Sequence, residues 1–172
     1  QPCGSGAAMA LNVRGLLGLA MLLFTAQAWG SDTEQRLMAV YLGRFAEYVQ
    51  FPPVRQEQAE FVIAVLGPDP FGGQLQVLYK ERPINKKKVR IVQAASLQDV
   101  PPCDLLYVNL LTQAARDAAL VFAAQHQILT VSNARGFAAR GGIIQIGFVE
   151  QQARITINHT AAVRNGLQIR AP

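Results

Sequence analysis

Histidine, cysteine, tryptophan and charge are all scarce in this 172-residue chain. It has two histidines, two cysteines and one tryptophan, and 16% of its residues are charged against 51% hydrophobic. His126 and His159 have no metal-ligand spacing with each other or with a cysteine or acid, so neither a metal site nor a cofactor is expected. Two cysteines cannot build a disulfide-dense scaffold. So low a charge with so much apolar content excludes general disorder. The longest clean apolar run, Gly15 to Trp29, falls short of the roughly 20 residues a spanning helix needs, which excludes a multi-pass membrane protein. No internal repeat, linker or low-complexity stretch interrupts the chain. The length suits one domain with a substantial core.

What is present begins with an address. Met9 is a plausible start, with residues 1–8 upstream of it. Arg14 then supplies a short positive region, Gly15 to Phe24 an apolar core, and Ala26-Gln27-Ala28 an A-x-A site. This order is that of a secretory signal peptide over residues 1–30, cleaved after Ala28 or Gly30, with residues 31–172 as the exported domain. An uncleaved N-terminal anchor is the alternative. Cys3 precedes the apolar core, so it is not placed as a lipoprotein cysteine.

Losing the leader removes one arginine and no acid, which leaves 15 basic against 11 acidic residues and a net charge of +4. The excess is spread along the chain. Its one dense run, Lys86-Lys87-Lys88 between Arg82 and Arg90, reads as a solvated turn or strand end. No aromatic residues interleave it, so nucleic acid is not an expected partner. Cys103 is the one cysteine left, and a lone thiol is either buried and inert or paired with another chain.

Local patterns alternate between strand and helix. Ser31-Asp32-Thr33-Glu34 carries cap residues with an acid close behind. The helical period of Leu37, Met38, Tyr41, Leu42, Phe45, Tyr48 and Val49 predicts a helix of about five turns, ended by Pro52-Pro53. Strands are expected at Phe61–Leu66, Val89–Val92, Asp104–Val108 and Ile128–Val131. A hairpin is expected from Gly142–Phe148 and Ala153–Ile157 about the polar Glu150-Gln151-Gln152. Helical segments fall at Phe71–Tyr79, at Thr112–Gln127 with Thr112 as cap, and at Thr160–Gly166. The class is therefore α/β: a single domain with a central, mostly parallel sheet, helices on both faces and an antiparallel pair near the C-terminus.

Catalytic signatures are missing. Gly67, Gly72 and Gly73 form a glycine-bearing turn after a strand, but their spacing matches neither the dinucleotide fingerprint nor the Walker lysine motif. Gly136, Gly141 and Gly142 precede a strand rather than a helix and read as turn punctuation. Cys103 lacks a nucleophile signature and Ser132 lacks a nucleophile elbow. The residues describe a small exported α/β domain that binds rather than converts.

Several blocks together carry a resemblance. Tyr41-Leu-x-x-Phe45-x-x-Tyr48-Val-x-Phe51-Pro52 comes first. Val65-Leu66-Gly67-x-Asp69-Pro70-Phe71, Asp104-Leu-Leu-Tyr107 and Thr130-Val-Ser132 follow in order. Gly141-Gly142-Ile-Ile144, Arg154-Ile-Thr-Ile-Asn158 and Gly166-Leu167 complete it. In this order the chain resembles the YfiR-type periplasmic proteins of Gram-negative bacteria, over roughly Glu34 to Ile169. The resemblance implies a periplasmic, non-enzymatic repressor. Its implied partner is the periplasmic sensor domain of an inner-membrane diguanylate cyclase, so that it lowers cyclic-di-GMP and biofilm output. It also implies an outer-membrane, peptidoglycan-associated lipoprotein that sequesters the repressor, and it leaves a homodimer open. Phe51 replaces the family's tryptophan. The family's redox-type members carry disulfides, whereas the matching neighbourhoods here hold Ala64 and Ala138, which argues against an internal redox switch. The family's apolar helix beyond Gly-Leu has no counterpart before Pro172.

Five residues are candidates for partner or ligand contact. Arg44 sits on the first helix, and Asn158 and His159 follow a strand, although Asn158 is equally suited to capping the last helix. Leu167 and Ile169 are expected to form an exposed apolar patch. A small-ligand sensor with a pocket at the sheet edge is the second functional reading. An exported hydrolase using Cys103 or Ser132 is the third.

Overall fold

The computed structural model describes residues 28–170. Cys3 and nearly all of the expected leader lie outside them. Helix α1 spans Ala28–Tyr48, followed by strand β1 at Val49–Gln50 and the one-turn helix α2 at Pro53–Gln56. Next come β2 (Glu60–Leu66), α3 (Gln74–Tyr79), β3 (Lys88–Ala94), a 3-10 turn (Leu97–Asp99) and β4 (Leu105–Val108). The chain continues through α4 (Gln113–Gln125), β5 (Leu129–Ser132), β6 (Ile144–Val149), β7 (Gln152–Ile157), α5 (His159–Arg164) and β8 (Gln168–Ile169).

Six strands form the central sheet in the order β3-β2-β4-β5-β6-β7. All neighbours are parallel except β6 and β7, so the expected α/β class and C-terminal antiparallel pair are found. Strand β2 is buried on both faces, which is why it reads as an unbroken apolar run. Phe61, Ile63 and Val65 pack in one cluster with Met38, Leu42 and Phe45 of α1 and with Leu75 and Tyr79 of α3. Val62, Ala64 and Leu66 point the other way, towards Ala119, Leu120 and Ala123 of α4. The alternation along β2 thus defines the two layers. At the β6–β7 hairpin, Glu150 and Gln151 have φ of 50° and 63°, a two-residue turn whose twist suits the paired strands.

Helix α1 begins earlier than its sequence suggests. Asp32 lies inside it rather than at its cap, 3.0 Å from Arg36 one turn on, and accepts a bond from Gln74 Nε2 at 2.8 Å. An i,i+4 pair of this kind supports a helix interior. The helix also ends before Pro52-Pro53, because Val49 and Gln50 leave it to pair antiparallel with Ile169 and Gln168. Two-residue strands carry no periodicity, so this small second sheet left no mark in the sequence.

Tyr79 locks α3 to α1. Its hydroxyl donates to the Ala39 carbonyl at 2.7 Å and accepts from the Gly43 N–H at 2.8 Å. A Cβ at Gly43 would collide with the Tyr79 hydroxyl and the adjoining ring edge, so this approach requires glycine.

Candidate functional site

An open doubly wound sheet offers a crevice at the carboxyl ends of its strands, where neighbouring crossovers leave in opposite directions. Here that point lies between β2 and β4, and it is filled. The Asn109 carbonyl sits where a Cβ of Gly67 would be, and Asn109 Nδ2 donates to the Pro68 carbonyl at 2.7 Å. The nearby glycine turn is also occupied. Asp69 accepts from the Phe71 N–H at 2.8 Å and from the Gly73 N–H at 3.3 Å, so a side-chain carboxylate already uses the donors a phosphate would need. This turn is a structural one.

An open pocket lies at the opposite, amino-terminal edge of the strands. It has a volume of about 350 Å³ and is walled by the end of α1, β1, α2 and the starts of β2 and β4. Arg55, Lys87 and Arg170 supply cations, Asp104 and Glu47 supply acids, and Phe51 and Phe61 supply an apolar side. The two phenylalanine rings meet edge to face with centroids 5.6 Å apart.

Arg55 is the unusual member. It is 8% exposed, and among the described residues no carboxylate lies within ion-pair distance of it. Its Nη2 donates to the His126 carbonyl at 2.9 Å. A guanidinium has five donors and cannot lose its charge; the Asp104 carboxyl of the same pocket feels that charge but lies beyond ion-pair distance, which leaves donors of the fork free for an anion. Lys87 Nζ donates to the Arg55 carbonyl at 2.6 Å and ties the one-turn helix to the residue before β3. Arg170 closes the wall, donating to Gln50 Oε1 at 2.6 Å while its own N–H bonds the Tyr48 carbonyl at 2.8 Å.

Asp104 is 1% exposed and accepts the Val62 N–H at 2.8 Å. Burial pushes its carboxyl pKa up, against the pull of that N–H and of the Arg55 and Lys87 charges. The Cys103 thiol beside it is fully buried, and burial raises its pKa to about 12. Ser132 is equally enclosed, donating to the Val108 carbonyl at 2.7 Å and accepting from the Ala134 N–H at 3.1 Å. Both nucleophiles offered by the sequence are therefore held in the core. Among the described residues, no group of three or more His, Cys, Asp or Glu side chains is placed to hold a metal ion.

The five sequence candidates do not converge. Arg44 is exposed on α1, with Nη1 3.7 Å from Glu47 Oε2. It lines a neighbouring groove with Tyr79 and Arg82, which shares Glu47 with the Arg55 pocket. Asn158 caps α5, accepting from the Ala161 N–H at 2.9 Å, and its Nδ2 donates to the Ala138 carbonyl at 2.7 Å. His159 is exposed at the start of that helix. The expectation of an exposed Leu167–Ile169 patch is corrected. Leu167 is fully buried in the α1-side core, and Ile169 is half-buried opposite Val49 in β8. The turn after α5 and the β1–β8 pairing draw both inward.

Arg55, Lys87, Asp104 and Arg170 were not singled out by the sequence. The one available signal was an acid, Asp104, opening a strand that is otherwise wholly apolar. Lys87 was hidden within a lysine run, and Arg55 and Arg170 are 115 residues apart and meet only through the fold.

Among the described residues, no helix is long and apolar enough to cross a membrane. No curated protein matches the chain. A family model described as YfiR/HmsC-like matches residues 35–172, well over half of the sequence. The chain therefore belongs to the YfiR/HmsC-like family.

Proposed function

We propose that this protein is a periplasmic, non-enzymatic regulator that binds the sensor domain of an inner-membrane diguanylate cyclase and holds the enzyme inactive. The observation that carries this reading is the family match over residues 35–172. The enclosure of Cys103 and Ser132 is in keeping with it, because it counts against a hydrolase that would use either side chain as its nucleophile. The Gly15–Phe24 apolar core and the Ala26-Gln27-Ala28 site support export, with cleavage after Ala28 or Gly30.

Repression of this kind needs no chemistry by the regulator. A protein that binds only the inactive sensor conformation shifts the cyclase population towards it, by as much as its differential affinity allows. An outer-membrane, peptidoglycan-associated lipoprotein that sequesters the regulator would release the cyclase. A pull-down from membranes with the exported protein as bait tests the proposal. It predicts recovery of a protein with a periplasmic sensor domain and a cytoplasmic cyclase domain. Recovery of no such protein, together with unchanged cyclic-di-GMP on deletion of the gene, contradicts it.

The Arg55 pocket favours a second role on the same protein, the sensing of a small molecule. Three cations, two acids and two phenylalanines suit an organic anion with an apolar or aromatic body and a group able to donate to Asp104. A thermal-shift screen of aromatic and aliphatic carboxylates tests this role, because a ligand of the folded state raises the melting temperature with its concentration.

A further inference from the structure

We propose that a groove between α4 and the Arg140/Arg164 corner is a docking site for an acidic segment of a partner protein, anchored by an apolar side chain. The groove has a volume of about 370 Å³ and shares no lining residue with the Arg55 pocket. The proposal stands whether or not that pocket binds a ligand.

Its floor is one stripe of α4. Leu120, Val121 and Ala124 lie at helical spacing beside Asp117, and Val121 is 59% exposed, a large apolar side chain left outside the core. Arg140 and Arg164 form the facing rim. Arg164 Nη2 donates to the Gly141 carbonyl at 2.9 Å, and its guanidinium lies against Gly141, which fixes the orientation of the fork. The Arg140 side chain makes no hydrogen bond or ion pair among the described residues.

Charge identifies the occupant. After Asp117 the sequence has five arginines, at 135, 140, 154, 164 and 170, no lysine, and one acid, Glu150. Among the described residues, none of the five forms an ion pair. Unpaired arginines beside an apolar floor are the composition of a protein-binding hot spot, because the guanidinium is weakly hydrated and pairs bidentately with carboxylates. Asp117, which also lines the groove, selects further. Its Oδ1 accepts from Gln113 Nε2 at 2.6 Å and its charge repels a uniformly anionic ligand, so the arrangement fits a peptide with a carboxylate for the arginines and an apolar residue next to it. A polyphosphate or lipid headgroup would leave the floor uncovered and meet the Asp117 charge.

The test is fluorescence anisotropy of the purified protein with dye-labelled synthetic peptides. One peptide alternates Glu with Leu and Phe, a second has the same charge with Ser at the apolar positions, and a third replaces Glu with Lys. The Glu/Leu/Phe peptide should bind, more weakly as salt is raised, and the other two should bind at least about tenfold more weakly. Arg140→Ala, which has no intramolecular bond to lose, should weaken binding by about tenfold, and Val121→Ser should act in the same direction. Amide shifts on titration should concentrate at 117–125, 140–141 and 164. Equal binding of the Ser peptide, no effect of Arg140→Ala, or shifts confined to other residues would overturn the proposal. So would Arg140-dependent binding to anionic phospholipid vesicles with no binding of the peptide.

Discussion

Arg55 Nη2 donates to the backbone carbonyl of His126 at 2.9 Å, joining residues 71 positions apart in the sequence. Through this bond the one-turn helix that starts at Pro53 is tied to the C-cap residue of α4, and a permanent cation is placed at the edge of the sheet. A carbonyl satisfies one donor of the fork but brings no negative charge, which leaves the site suited to an anion.

Replacing Arg55 by lysine keeps the charge and loses the fork. The thermal shift produced by any carboxylate bound in this pocket should fall, with affinity reduced by about tenfold or more. Arg55→Ala should also cost about 1–3 kcal/mol in urea unfolding, since the His126 carbonyl loses its side-chain donor. A ligand-induced shift that survives Arg55→Ala would place the ligand elsewhere.

Asp104 makes stability depend on pH in a defined direction. Burial raises its folded-state pKa, so the folded chain holds this proton more tightly than the unfolded chain. Its contribution is most favourable below the ordinary carboxylate value and is lost as pH rises through the raised one. Asp104→Asn keeps an acceptor for the Val62 N–H and removes the titration. Urea midpoints at about pH 4 and about pH 7.5 should therefore show the variant gaining on the parent as pH rises. A constant difference between the two proteins contradicts the assignment.

Cys103 should resist thiol reagents. With the thiol fully buried and its pKa pushed to about 12, labelling by a disulfide reagent at about pH 8 should be slow in buffer and complete only in denaturant. Fast stoichiometric labelling of folded residues 31–172, which lack Cys3, would contradict the burial.

Leu167 and Ile169 separate a core residue from an edge residue. Leu167→Ala should cost about 2–5 kcal/mol, and Ile169→Ala less, because only Leu167 is fully enclosed. Asn158→Ala should cost about 1 kcal/mol through loss of the α5 cap, and Asn158→Asp should recover part of it. Equal and small losses at 167 and 169 would restore the exposed patch.

The fold was legible where burial acts on one segment at a time. Phe61–Leu66, Asp104–Val108 and Ile128–Val131 each lie close to a parallel strand, and Thr112 caps the helix it was expected to cap. What escaped depended on distant partners. Val49 and Gln50 are strand only because Ile169 and Gln168 come back to them, and the same return buries Leu167. The pocket escaped for this reason too: Arg55, Lys87, Asp104 and Arg170 come from four separate segments and share no spacing. Asn158 was legible as a cap because a cap needs only its own next turn.

The central claim is most directly tested by calorimetric titration of the purified protein into the isolated periplasmic domain of the diguanylate cyclase from the same bacterium. Saturable binding is expected, with lower cyclic-di-GMP synthesis by the full-length cyclase when the protein is present. Absence of heat and of any change in cyclase output, with both proteins folded, would contradict it.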